Sequence, residues 1–290
     1  MQHIEFFDKF HFEHRYFRTP PPPALAHFID FFWQTDFDDL LAENPGGFSD
    51  VLFPNTGYTY LINLGTPYVM QVGERKFDMK GDGFLPRHQS IECYHRKGNN
   101  LFGIKFRVSP ILFEKKINFS EYREYIFPLS YLVDSGVIAK VKMAQDFKQR
   151  TLLLSNYYES IILKQPAFKV TEVSNPVNIV LEILGYSDKQ NDFTTPVSAF
   201  AEKYKVSART LQRYFEMATG ASPRKLIQIM RIRKATEMLV TDPKNFRSTD
   251  FGYYDHSHFY KYLKQFLHKN TITRLRPHLE LLASMHQGDI

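Results

Sequence analysis

The sequence predicts an α+β protein of two domains, with a β-rich N-terminal domain and an all-α C-terminal domain. In residues 24–108, short apolar runs are broken by Gly, Pro and Asn, which is typical of closely spaced strands. After about residue 120 apolar residues recur at a spacing of three to four, which is typical of helices. At 290 residues the chain is long enough for two cores, and we place the domains at 1–165 and 177–290 with a linker at 166–176.

The N-terminal domain is predicted to be a β-barrel or sandwich with flanking helices. The predicted strands are residues 50–53, 58–64, 68–72, 76–79, 90–94 and 101–108. The last is the clearest, because Phe102, Ile104 and Phe106 alternate with Gly103 and Lys105. Residues 24–33 carry apolar side chains at helical spacing and predict a short helix, and two longer helices are predicted at 133–147 and 151–162.

A helix, a tight turn and a second helix are predicted between residues 197 and 217. Ser207 is a good N-cap, because its hydroxyl can accept a hydrogen bond from a free amide of the first turn. Gly220 can adopt the positive φ that ends a helix, and Ser222-Pro223 begins a long helix over 222–241. This arrangement is a helix-turn-helix unit.

The second helix of this unit is predicted to carry an exposed polar face. Arg209, Gln212 and Arg213 fall opposite the apolar Leu211 and Phe215. Arginine pairs with guanine edges and glutamine with adenine edges, so these three side chains are candidates for base contacts in a major groove. Thr210 is expected near a phosphate, and Ser207 is a further candidate for DNA contact. For Arg213 a structural ion pair is the alternative.

Residues 201–239 resemble the DNA-binding domain of the AraC/XylS family of bacterial transcription regulators. The matching residues are Ala201, Val206, Ser207, Arg209, Leu211, Arg213, Phe215, Gly220, Ser222, Pro223, Arg231 and Ala235. The family has a second helix-turn-helix unit, whose signature is similar to residues 252–259 here. The resemblance implies a second recognition helix over 256–266. Its DNA-facing candidates are His256, Ser257, His258, Lys261 and Lys264.

The second unit departs from the family pattern at two places. Arg247-Ser248 stands where the family usually has Ile-Ala, and His268 and Asn270-Thr271 stand where it has Gly and Thr-Pro. These departures leave open a second hypothesis, a protein-interaction or ligand-binding module with a partly degenerate DNA-binding domain.

The resemblance implies a ligand-responsive activator with a cupin-like sensor domain. Its expected partners are double-stranded DNA, RNA polymerase, a small-molecule effector and a second copy of the chain. Tyr58, Tyr60, Phe102 and Phe106 are candidates for the lining of a ligand cavity, with plain core packing as the alternative. The helices after the barrel are expected either to dimerise or to cover its open side.

Charge is concentrated where DNA binding is predicted. Residues 200–269 contain 14 Lys/Arg and 6 Asp/Glu, a net charge of +8, whereas the whole chain is +6. This concentration is typical of a phosphate-binding surface. Lys203, Lys205 and Lys264 are expected to set affinity and its salt dependence rather than specificity.

Other classes of protein are disfavoured. No run of ~18 apolar residues occurs and charged residues interrupt the N-terminus, so we expect no membrane segment, signal peptide or membrane partner. The single cysteine, Cys93, indicates a reducing cytoplasm. Nucleotide-binding and hydrolase motifs are absent, and no enzyme activity or cofactor is expected.

No metal site is expected from the sequence either. His11-x-x-His14 offers only two ligands where metal sites need three or four, and His88 and His95 lie on different turns. A metal-dependent cupin-like enzyme fused to a DNA-binding domain is therefore the third hypothesis.

Overall fold

The computed structural model describes residues 9–110, 126–164 and 175–267. The strands are β1 (Tyr16–Thr19), β2 (Ile29–Asp36), β3 (Phe48–Leu52), β4 (Tyr58–Asn63), β5 (Tyr68–Val72), β6 (Arg75–Met79), β7 (Gly83–Pro86), β8 (Ile91–His95), β9 (Asn100–Phe106) and β10 (Phe127–Pro128). The helices are α1 (Lys9–His14), α2 (Asp38–Glu43), α3 (Ser135–Met143), α4 (Phe147–Lys164), α5 (Pro176–Gln190), α6 (Val197–Lys203), α7 (Ala208–Thr219), α8 (Pro223–Thr241) and α9 (His256–Leu267). The predicted α+β class, with a β-rich N-terminal and a helical C-terminal region, is confirmed.

The strands form two antiparallel sheets. The larger has the order β1-β2-β9-β4-β7-β10 and the smaller β3-β8-β5-β6. Alternate residues of β9 serve two cores: Phe102, Ile104 and Phe106 pack toward the helices, whereas Leu101 packs toward the smaller sheet. The larger sheet is therefore buried on both faces, and the period-2 pattern in β9 is the one that the sequence predicted.

The predicted helix at residues 24–33 is wrong. A 3₁₀ turn at Pro23–Leu25 leads instead into strand β2, which pairs with β1 on one side and β9 on the other. The register with β9 shifts between Ile29 and Phe31, so Ile29 and Phe32, three positions apart, pack into the same core. This irregularity breaks the two-residue alternation and produces an apolar spacing that resembles a helix.

Helices α3 and α4 cover the outer face of the larger sheet. Asp134 caps α3, because its side chain accepts hydrogen bonds from the amides of Gly136 and Val137. On α4, Leu154 and Tyr158 are buried, and the Tyr158 ring lies 5.6 Å from the Phe106 ring. The contacts therefore support the covering role. Dimerisation through these helices stays a prediction.

The two regions share one continuous core. The buried Arg233 of α8 donates from Nη1 to the Pro54 carbonyl oxygen at 2.9 Å, and its guanidinium lies 5.6 Å from the Phe53 ring. The amide of Ser109 donates to the Ala218 carbonyl at 2.7 Å, at the last turn of α7. The sequence did not indicate these contacts. The predicted linker falls mostly on residues outside the described ranges, and the domain boundaries stay a prediction.

Among the described residues no helix is both long enough and apolar enough to cross a membrane.

Gly252 is expected to be intolerant of a side chain. Its φ is +74°, and a Cβ there would lie 2.6 Å from Cγ2 of Thr194. We expect Gly252→Ala to lower the free energy of unfolding by more than about 1 kcal/mol, since alanine is strained at positive φ. The matched control is Gly185→Ala in α5, where the added methyl meets nothing within 4 Å, and it should be neutral or stabilising. Equal denaturation midpoints for both variants would contradict this assignment.

Candidate nucleic-acid interface

The first helix-turn-helix unit forms where it was predicted. Helix α6 ends at Lys203, and the chain turns at Lys205, which has a φ of 54°. The Val206 amide donates to the Ala201 carbonyl at 2.9 Å and closes the turn. Positive φ outside glycine is uncommon, so the backbone at Lys205 is set by the packing of α6 against α7.

Helix α7 is fixed at both ends by the residues that the sequence identified. The Ser207 hydroxyl accepts a hydrogen bond from the Thr210 amide at 3.0 Å and lies 2.9 Å from the Thr210 hydroxyl. Gly220 ends the helix with a φ of 72°. Leu211 and Phe215 are fully buried. The inner face of α7 is thus anchored in the core and its outer face has a fixed orientation.

The outer face of α7 presents the predicted base-reading side chains to solvent. Arg209, Gln212 and Arg213 are exposed, and Gln212 Nε2 donates to Glu216 Oε1 at 3.1 Å. Within residues 9–110, 126–164 and 175–267, neither arginine forms an ion pair. The structural ion pair that was the alternative for Arg213 is therefore not found in the described part of the chain. Its contact with a base stays a prediction.

The first helical segment of the second helix-turn-helix unit is shorter than that of the first unit. Its first segment is a single 3₁₀ turn, Ser248–Phe251, and Gly252 follows with positive φ. Ser248 is buried, whereas Arg247 is exposed. The departure from the family pattern noted at Arg247-Ser248 thus coincides with a one-turn segment in place of a full helix.

Helix α9 is capped and packed as a recognition helix should be. The Asp255 carboxylate accepts a hydrogen bond from the His258 amide at 2.6 Å and so caps the first turn of the helix. Phe259 and Leu263 are buried. Phe246 supports the helix from the preceding loop, with its ring 5.3 Å from that of Phe259.

The candidate residues of α9 divide into two groups. His256, Ser257, Lys261 and Lys264 are exposed. His258 is half-buried, and its Nδ1 accepts from the Tyr254 amide at 3.1 Å while its ring lies 4.9 Å from the Tyr262 ring. His258 therefore contributes to packing, and its DNA contact stays a prediction.

Helix α8 joins the two units through an arginine. The Arg231 guanidinium lies 3.8 Å from the Tyr253 ring centre and 5.8 Å from that of Tyr262. A cation over an aromatic face is attractive. Burial raises the pKa of Tyr253, and the nearby Arg231 opposes that rise. With 19 residues, α8 is about 28 Å long and acts as a rigid spacer between the units.

Lysine side chains flank the first unit. Lys203 Nζ lies 5.6 Å from the Tyr186 ring centre and 5.2 Å from that of Tyr204. The Tyr204 hydroxyl donates to Glu182 at 2.8 Å, and burial together with this carboxylate raises the pKa of Tyr204 to about 12. Tyr204 therefore stays neutral and joins α6 to α5, with Lys203 and Lys205 exposed beside it.

The four candidate ligand residues lie in the core between the larger sheet and α4. Tyr58, Tyr60, Phe102 and Phe106 are at most 1% exposed, and the Tyr60 and Phe106 rings lie 4.6 Å apart. The cavity between the two sheets is lined by other side chains. These positions match the alternative of plain core packing, and a ligand role for them stays a prediction.

The two histidines of the His11-x-x-His14 pair differ in solvent exposure. His11 is buried and bonds through Nε2 to the Thr35 hydroxyl at 2.8 Å, whereas His14 is exposed. A cluster of three potential metal ligands does occur elsewhere, at Asp50, Cys93 and His95. The sequence alone does not indicate this cluster, because Asp50 reaches Cys93 only through strand pairing. The available signal was the Cys-x-His spacing on β8, which places two side chains on one face.

Two helix-turn-helix units joined by one long helix define the class of this protein as DNA-binding. Residues 200–272 match the family described as "Helix-turn-helix domain". The chain therefore carries an AraC-type DNA-binding domain, which confirms the resemblance of residues 201–239 and 252–259.

Solved structures give more distant similarities. ToxT from Vibrio cholerae shares 9% identity and a TM-score of 0.44, covering 91% of this chain and 98% of that one. ToxT bound to (E)-4-(8-methylnaphthalen-1-yl)but-3-enoic acid has 10% identity, a TM-score of 0.43, and coverage of 91% and 98%. The AraC-like transcriptional activator CuxR has 6% identity, a TM-score of 0.28, and coverage of 78% and 89%. No curated protein matches the chain.

Proposed function

We propose that the chain is a sequence-specific transcription regulator of the AraC/XylS family. The observation that carries this proposal is the structure of α7, whose inner face is fully buried while Arg209, Gln212 and Arg213 extend into solvent. A helix anchored in this way presents its polar side chains in one fixed orientation. Such a face suits direct readout of base edges in a major groove.

The mechanism uses both recognition helices. Helix α7 enters one major groove and α9 the next, about 34 Å away along the same face of the duplex. Helix α8 sets their separation, and the Arg231–Tyr253 contact fixes α9 relative to α8. Lys203, Lys205 and Lys264 neutralise phosphates and release counterions, so affinity falls as salt rises.

A groove where the two regions meet supports response to a small-molecule effector. It encloses about 530 Å³ and is lined by Ala26, His27, Arg107, Asn178, Leu181, Glu182, Gly185, Tyr186, Lys189, Gln190, Lys203 and Tyr204. Lys203 and Tyr204 lie directly before the turn into α7. An effector bound here would therefore contact both the sensor region and the segment that positions the recognition helix.

The remaining expected partners belong to the same proposal. Exposed apolar side chains on the covering helices, Leu152 at 59% and Leu163 at 85%, support a homodimer. Contact with RNA polymerase, activation of transcription and a cytoplasmic location rest on the family resemblance.

The one-turn segment Ser248–Phe251 favours a second candidate function. Here the protein binds DNA through the first unit alone and acts mainly as an interaction or ligand-binding module. Specific binding would then be weak, because a single recognition helix makes about half of the base contacts.

Genome-wide footprinting distinguishes the two candidates. The purified protein is bound to sheared DNA of its own host at low and at physiological salt. A two-unit regulator should give discrete sites that survive physiological salt, with contacts in two adjacent major grooves. Diffuse binding that disappears at physiological salt would contradict the regulator and favour the second candidate.

A further inference from the structure

Three side chains with metal-binding atoms meet between the two sheets. Cys93 and His95 are two residues apart on β8 and therefore lie on one face of the strand. Asp50 is the direct cross-strand partner of Cys93 on β3. One ligand atom from each lies within 4.8 Å of the other two, and all three residues are buried.

The hydrogen bonds of His95 orient its Nε2 atom toward Asp50. Nδ1 of His95 lies 2.7 Å from Oδ1 of Asn99. Asn99 donates from Nδ2 to the Thr66 carbonyl, which fixes the amide with its oxygen toward the imidazole. Nδ1 must therefore carry a proton. Nε2 lies 2.7 Å from Oδ1 of Asp50, so in this tautomer its lone pair and the carboxylate oxygen lie side by side, where a small outward shift lets both bind one cation.

The arrangement around His95 is that of a metal ligand. A histidine that binds metal through one nitrogen typically donates its other N–H to a carbonyl or carboxylate, as His95 does to Asn99. Cysteine sulfur, histidine nitrogen and aspartate oxygen are the three ligand types of zinc. The Cys93 side chain is also hydrogen-bonded to the Asp50 carboxylate, so all three side chains converge on one point.

The surroundings provide a fourth position and balance the charge. The adjacent cavity encloses about 60 Å³, enough for a water molecule, and is also lined by Tyr68 and Met70. Burial raises the pKa of the Cys93 thiol, and Arg87 opposes that rise. The charge of a zinc ion would be balanced by the thiolate and the Asp50 carboxylate, so that burial of these two groups would not leave them uncompensated.

We propose that Asp50, Cys93 and His95 bind one zinc ion inside the N-terminal domain, with a water molecule as the fourth ligand. The ion would link β3 to β8 and fill the polar part of the space between the sheets. The proposal does not rest on the DNA-binding function, because none of the three ligands belongs to a helix-turn-helix unit.

The test uses the full-length protein. After dialysis against a chelator, the protein is titrated with Zn²⁺ and with Co²⁺, and bound metal is measured by mass spectrometry. We expect one equivalent per chain and, with Co²⁺, a near-ultraviolet thiolate-to-metal absorption. Asp50→Asn, Cys93→Ser and His95→Gln should each weaken binding at least tenfold, and Cys93→Ser should abolish the absorption.

The matched control is Glu92→Gln, which removes a carboxylate next to Cys93 in sequence but on the opposite face of β8. It should bind metal like the wild type. The wild-type spectrum shows whether Cys93 binds the metal even where a variant fails to fold. Absence of bound metal and of thiolate absorption in the wild type would overturn the proposal, as would metal binding unchanged in Cys93→Ser.

Discussion

Replacing Arg209 or Arg213 by alanine is expected to weaken operator binding by about 1–3 kcal/mol, which is roughly 5- to 150-fold in Kd. Both side chains are exposed on α7 and form no ion pair within the described residues, so the stability of the fold should not change. The loss is expected because a bidentate arginine–guanine contact discriminates between bases. The measurement is the Kd for an operator found by footprinting, compared with that for scrambled DNA.

The control for this prediction is an exposed arginine far from α7. Arg96 lies in the turn between β8 and β9 and is exposed, so Arg96→Ala removes the same charge without touching the proposed interface. The two α7 variants should lose specificity, whereas Arg96→Ala should keep it. A folded Arg209→Ala or Arg213→Ala protein with unchanged operator affinity would show that the base contacts are assigned wrongly.

Replacing Arg233 by alanine is expected to give the largest loss of stability, about 2–5 kcal/mol. The side chain is only 2% exposed and donates to the Pro54 carbonyl across the junction of the two regions. Truncation leaves a cavity and a buried carbonyl without its charged donor. We also expect the single unfolding transition to separate into two, since the shared core is interrupted at the junction. Calorimetry measures both effects.

Lys234→Ala provides the comparison for Arg233. Lys234 is the next residue on α8, and it is partly exposed with a 3.7 Å ion pair to Glu237. A partly exposed pair contributes little, so this variant should unfold in one transition near the wild-type temperature. If Arg233→Ala behaves in the same way, the junction does not stabilise the protein.

The sequence predicted those features that depend on neighbouring residues. Ser207 and Gly220 determine the two ends of α7 through their own hydroxyl and backbone freedom, and both ends lie where they were expected. The exposed face of α7 followed from the same periodicity. Helix ends and exposed helix faces can be predicted from the sequence because they depend on residues that are close together in the chain.

Features that depend on distant pairing were not predictable. The helix expected at residues 24–33 is a 3₁₀ turn followed by the start of strand β2, because pairing with β1 and β9 outweighs the local spacing. Asp50 approaches Cys93 only when β3 pairs with β8. The bond from Arg233 to Pro54 joins residues 179 positions apart, and nothing in either segment indicates the other.

The hydrogen bond from Ser109 to Ala218 limits the construction of chimeric proteins from this chain. It joins the segment after β9 directly to helix α7, so the N-terminal region packs against the DNA-binding region and is not merely connected to it by a linker. A chimera that joins residues 175–290 to a foreign N-terminal domain would expose the Ala218 carbonyl. It would also remove the Pro54 carbonyl that accepts from the Arg233 guanidinium. Working hybrids therefore require counterparts of Phe53, Pro54 and Ser109 to be transplanted with the DNA-binding region.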